Sequence, residues 1–133
     1  MKSAILEREA VLTRELARAV ANLIQDYRPQ CIILFGGFAA GVCREFSDLD
    51  LCVLKDTTVP FLQRIDEARR AAACPVALDV VVYTPAEWQA GKDSVGRPVE
   101  EGLREYHKHL AEVLRYTRAT EPGRVFPRKM YIA

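Results

Sequence analysis

The stretch Cys31-Ile32-Ile33-Leu34-Phe35-Gly36-Gly37, followed after ten residues by Asp48-Leu49-Asp50-Leu51-Cys52-Val53-Leu54, decides how this chain folds. Residues 31–35 form a short, β-branched apolar run closed by two glycines. That pattern predicts a strand buried on both faces, in the middle of a sheet. The second segment predicts a strand of different character. Extended, it puts Asp48 and Asp50 on one face and Leu49, Leu51 and Val53 on the other. A third apolar run, Val76 to Tyr83, predicts another strand, and its single charged residue is Asp79.

Asp48, Asp50 and Asp79 therefore stand in strands that otherwise belong in a core, and neither strand contains a Lys or Arg to neutralise them. An ionised carboxylate buried without a partner is costly, so three of them together imply a cation. Side chains at i and i+2 project side by side, and Asp79 on a neighbouring strand completes a hard oxygen cage suited to magnesium with phosphate oxygens. Gly36 and Gly37 precede a segment, Phe38 to Cys43, long enough for one or two helical turns. Glycines at such a place let the backbone approach a phosphate. Alone, Gly-Gly is usually a turn, and Asp-x-Asp is commonly a solvated strand edge. Their order along the chain gives them weight: buried strand, Gly-Gly, ten residues, Asp-Leu-Asp, then a lone Asp in another apolar strand.

Working outward, Ile5, Leu12, Leu16, Ala19, Leu23 and Tyr27 step at helical spacing and predict an amphipathic helix from about Ser3 to Tyr27, ended by Pro29. Phe61, Ile65, Ala68 and Ala72 predict a second helix before Pro75. Thr84-Pro85-Ala86-Glu87 reads as a capping box with proline at the first helical position, opening a short helix that ends near Gly91. Pro98 opens a last helix with the stripe Val99, Leu103, Tyr106, Leu110 and Val113, and residues from Thr117 to Ala133 show no period. The expected fold class is α/β (α+β), a small mixed sheet of three strands flanked by helices. One domain is expected over residues 1–133, with a basic C-terminal extension from about residue 117.

Composition narrows the function. Half of the residues are hydrophobic, which excludes a disordered chain, and 19 Lys plus Arg against 18 Asp plus Glu leave the surface as a whole no strong field for nucleic acid or an anionic membrane, so any polyanion site must be local. Cys31, Cys43, Cys52 and Cys74 lack CxxC spacing and read as reduced and structural. No stretch approaches a membrane span, and charges at Glu7, Arg8, Glu9, Arg14 and Glu15 rule out a signal-peptide core, so a cytoplasmic location is expected. His107 and His109 lie about 200° apart around a helix axis and read as surface residues rather than joint ligands. Trp88 reads as core or interface. The basic run Arg115, Arg118, Arg124, Arg128 and Lys129 reads as a solvated face, with a partner contact as its alternative.

Leu34-Phe35-Gly36-Gly37, Ser47-Asp48-Leu49-Asp50-Leu51 and Leu78-Asp79-Val80-Val81 together resemble the minimal nucleotidyltransferases of the DNA polymerase beta superfamily. The family pattern is Gly-Ser, about ten residues, Asp-x-Asp and a third carboxylate on a later strand. Glu101-Gly102-Leu103 and Tyr106 extend the likeness toward the end of the chain. The resemblance implies that Asp48 and Asp50 hold two magnesium ions bound with ATP. It also implies that Asp79 holds the catalytic metal and helps deprotonate an acceptor hydroxyl. Gly36, Gly37, Arg44 and Ser47 are the implied nucleotide and phosphate contacts. This chain departs from the pattern in having Gly37 in place of serine and Ala40 in place of a common basic residue, with Arg44 the nearest basic substitute.

The function implied is magnesium-dependent transfer of AMP from ATP to a hydroxyl of a partner protein. Such small proteins often pair with a helical HEPN toxin, which makes this chain the expected antitoxin. Two other readings stand beside it: a nucleotidyltransferase-fold binding module that neutralises its partner by contact, and a transferase acting on a small molecule such as an antibiotic. An oligomer is compatible with all three.

Overall fold

The computed structural model describes residues 2–39, 41, 43–104 and 130–132. Helix α1 (Lys2–Asp26) leads into strand β1 (Cys31–Phe35), the short helix α2 (Gly36–Ala39) and strand β2 (Leu49–Leu54). Helix α3 (Phe61–Ala72), strand β3 (Leu78–Tyr83), helices α4 (Pro85–Ala90) and α5 (Val99–Arg104), and strand β4 (Met130–Ile132) follow.

The strands form one mixed sheet in the order β3-β2-β1-β4. The β1–β2 and β1–β4 pairs are antiparallel, and β2–β3 is parallel. A parallel pair needs a crossover, and α3 supplies it. The expected sheet had three strands; the fourth, β4, comes from a segment with no periodic signal. Three residues are too few to show alternation, and β4 is defined by its pairing with Cys31–Ile33. The rest of the sheet follows the sequence reading closely. Strand β1 is buried along its whole length, and β2 begins at Leu49, with Asp48 just outside it.

Alternation sorts the strands into two cores. Ile32, Leu34, Leu49, Leu51, Val53, Val80 and Val82 face α1 and α3, where they meet Leu12, Leu16, Leu23, Ala68 and Ala72. Cys31, Ile33, Phe35, Cys52, Leu54, Val81 and Tyr83 face the other way and pack with Val99 and Leu103 of α5. Small Ala68 and Ala72 let α3 lie close on the sheet. Trp88 is partly buried against the second core. In α1 the expected stripe is buried from Leu12 onward, whereas Ile5 is exposed. The reason is length: 25 residues of helix span about 37 Å, while a six-residue strand spans about 20 Å, so the first turns of α1 extend past the sheet.

The Thr84 capping box is present in full, with Thr84 accepting from the Glu87 N–H and Glu87 accepting from the Thr84 N–H. Gly91 closes that helix in the left-handed region at φ 71°. All four cysteines are free, with Cys31 and Cys52 buried. No helix among the described residues is long and apolar enough to cross a membrane. His107, His109, Ala40, Tyr106 and the basic run from Arg115 to Lys129 lie outside the described residues.

Candidate active site

The β2–β3 register builds the site. Asp50 pairs with Asp79 across the two parallel strands, and on its other side Asp50 is opposite Phe35. All three residues lie on the face of the second core, at one end of it. Asp48 precedes β2 and shares the face of Asp50. One carboxylate oxygen from each of Asp48, Asp50 and Asp79 lies within 4.8 Å of the others. The convergence expected from the sequence is therefore present.

Burial makes this cluster electrostatically costly. Asp50 is 1 % exposed, and both of its carboxylate oxygens lack a hydrogen-bond donor while its neighbours are ionised. Desolvation, then repulsion from Asp48 and Asp79, pushes the Asp50 carboxyl up to about 8. Asp79 is also raised, by burial first and by Asp48 second, with the Arg69 guanidinium pulling the other way. Without a cation, a shared proton relieves the conflict: protonated Asp50 donates to Asp79, which raises Asp50 and lowers Asp79. Two orphaned oxygens at the centre of an all-oxygen, acidic donor set fit a hard divalent cation, and these carboxylates could hold one.

A pH dependence follows. The Asp50 carboxyl lies near 3.9 when unfolded and about 8 when folded, so the folded chain binds the extra proton between those values. Its stabilising contribution is complete below about pH 4 and is lost as pH rises through about 8. In chelator, the melting temperature is expected to fall between pH 5.5 and 8.5, and added divalent cation should flatten the slope. A melting temperature that rises over this range would show Asp50 ionised and satisfied.

The glycine pair lies beside the acids, because Gly36 directly follows Phe35, the register partner of Asp50. Gly36 turns the chain from β1 into α2 at φ 84°, a left-handed conformation, whereas Gly37 is helical and outside that region. Gly36→Ala is expected to cost about 1–2 kcal/mol, and a side chain at position 37 carries no such backbone penalty. Arg44 is exposed and Ser47 partly buried. Their turn closes on itself: the Arg44 N–H donates to Ser47 Oγ at 2.6 Å, and the Ser47 N–H donates to the Arg44 carbonyl at 3.1 Å.

Two basic residues that the sequence did not single out bear on the site. Arg69, in the last turn of α3, partly offsets the charge of Asp79. Arg8 of α1 donates from Nε to the Ser47 carbonyl at 2.8 Å, across 39 residues of sequence. The position of Arg69 on the helix leading into β3 was a usable signal. No local pattern marks Arg8, whose contact exists only because α1 extends beyond the sheet.

A mixed sheet with helices on both faces carries three convergent carboxylates beside a glycine turn, an acidic oxygen set of the kind that holds a divalent cation with phosphate oxygens. A family model described as nucleotidyltransferase domain matches residues 14–118, and the chain belongs to that family. Neither the curated proteins nor the solved structures yield a match.

Proposed function

We propose that this protein is a magnesium-dependent nucleotidyltransferase that moves AMP from ATP onto a hydroxyl of a partner protein. The observation that carries the reading is the convergence of Asp48, Asp50 and Asp79 in a chain of the nucleotidyltransferase family. Asp48 and Asp50 would hold two magnesium ions with the triphosphate, and Asp79 would share the catalytic one. Paired metals of this kind neutralise charge and clamp the attacking and leaving oxygens of an in-line displacement. The Asp79 carboxylate would accept the acceptor's hydroxyl proton as that oxygen bonds to the α-phosphorus of ATP, the α–β phosphoanhydride bond breaks and pyrophosphate leaves. Gly36 and Gly37 bring backbone toward the phosphates, and Arg44 and Ser47 are the remaining phosphate contacts. The partner that fits the family resemblance is a helical HEPN toxin, with this chain as its antitoxin. A neighbouring gene encoding a helical protein with an Arg-x4-6-His motif would support that pairing.

Gly37 favours a second reading. It offers no hydroxyl to the triphosphate, which suits a module that neutralises its partner by contact. ATP labelled at the α-phosphate, incubated with the purified protein and its neighbour's product, separates the two. Label is expected on the partner, increased roughly tenfold by Gly37→Ser if one phosphate hydrogen bond is restored, and absent with Asp79→Asn. No label with either wild type or Gly37→Ser would leave the binding module.

A further inference from the structure

The three acids are not held alike. Asp50 and Asp79 lie within strands and are set by the β2–β3 ladder. Asp48 stands one residue before β2, where no ladder holds it. Both peptide groups that flank it are nevertheless tied. On one side the Leu49 N–H donates to the Ala77 carbonyl at 3.1 Å, and on the other the Ser47 carbonyl accepts from Arg8 Nε at 2.8 Å. The Ser47 carbonyl and the Asp48 N–H belong to one planar peptide unit, so a bond that orients the first orients the second.

Apolar packing reaches only the entry of this turn, where partly buried Cys43 lies against the α1–α3 core. Phe46 is 87 % exposed, and Arg44 and Glu45 are exposed beside it. The internal bonds between Arg44 and Ser47 shape the turn without attaching it to the body of the protein. Beyond Cys43, Arg8 makes that attachment, from a half-buried position on α1.

We propose that Arg8 is a positioning residue for the metal site, its guanidinium Nε fixing the Ser47–Asp48 peptide so that Asp48 faces Asp50 and Asp79. This rests on the reading of the three acids as a metal site. Loss of charge alone does not weaken cation binding and loss of positioning does, which makes the role measurable. Removing the positive charge of Arg8, which lies on the carbonyl next to Asp48, leaves the acids' hold on a divalent cation unchanged or stronger. Removing a clamp on one of them weakens it.

Two substitutions of similar length separate these effects. Gln places its amide nitrogen the same number of bonds from Cα as Arg Nε, keeping a donor while losing the charge. Met keeps the length and loses both. Mn2+ binding to the full chain, read by electron paramagnetic resonance without nucleotide, is expected to weaken about tenfold in Arg8→Met. In Arg8→Gln it is expected to equal or exceed wild type. Melting curves confirm that both variants fold. Arg8→Met binding Mn2+ as tightly as wild type, or Arg8→Gln binding as weakly as Arg8→Met, would overturn the proposal while leaving the metal site standing. A wild-type chain that binds no Mn2+ would remove the metal-site reading and the proposal with it.

Discussion

Asp50→Asn is expected to cut nucleotide transfer steeply and at the same time raise the melting temperature of the metal-free protein. Loss of activity should be on the order of a hundredfold to a thousandfold, the size associated with removing a principal electrostatic stabiliser from a reaction centre. The opposite effect on stability comes from burial. Asp50 has two buried oxygens without donors and two acidic neighbours, so its ionised form is a liability to the fold unless a cation is present. An asparagine amide removes the charge and can donate to Asp48 or Asp79. The gain should be largest near pH 8.5, where the wild-type carboxyl is ionised, and smallest near pH 5.5. Transfer assays and calorimetry in chelator measure the two halves separately. A variant that loses activity and melts lower at pH 8.5 would show that the Asp50 carboxylate is satisfied by the fold itself.

Arg64→Ala is expected to produce the largest loss of stability from any single side chain outside the hydrophobic cores among the described residues, about 3–5 kcal/mol. The Arg64 side chain is 6 % exposed and pairs at 2.8 Å with Glu87, which is 11 % exposed. Its Nε donates to the Val59 carbonyl and its Nη1 reaches the Val82 carbonyl, so one guanidinium joins the entry to α3, the end of β3 and the start of α4. Deleting it leaves Glu87 buried without its cation while the same carboxylate still caps Thr84. Pairing Arg64→Met with Glu87→Gln should recover most of the loss, since no buried charge remains and glutamine can still accept from the Thr84 N–H. Denaturant unfolding of the two single variants and the double variant gives the coupling. Strict additivity would show that the two residues act independently.

Most of the sheet and its acids were legible because two short-range signals agree. Alternation in residues 48–54 separates Asp50 from Leu49, Leu51 and Val53, and the structure puts the leucines and valine in the α1–α3 core and Asp50 on the opposite face. The capping box at Thr84 was equally plain, since its bonds span three residues. Pairings between distant segments were not legible. Strand β4 is too short for a periodic pattern and finds its place by joining β1. Arg8 sits among other charged residues of α1 and is distinguished only by its contact with Ser47. Arg64 looks in sequence like one more polar residue of an amphipathic helix, yet it is buried. A helical period shows which side of α3 points inward, but the carbonyls and carboxylate waiting there come from β3 and α4.

The pairing of Asp50 with Asp79 also bears on how faithfully the chain assembles. Side chains in a strand alternate, so a slip of one residue between β3 and the rest of the sheet would send Asp79 to the opposite face. There it would enter the layer of Leu51, Val80 and Val82, where no ion or water could accompany it. The misaligned sheet would bury a lone charge among aliphatic side chains and exchange the β3 residues of the two cores, and would be rejected during folding. The same reasoning separates two kinds of mutation. A one-residue deletion inside β3 should be lethal to the fold, whereas one in the connection between Ala73 and Ala77 can be absorbed before the strand begins. The acids that would run the chemistry thus also proofread the alignment of the strands that carry them.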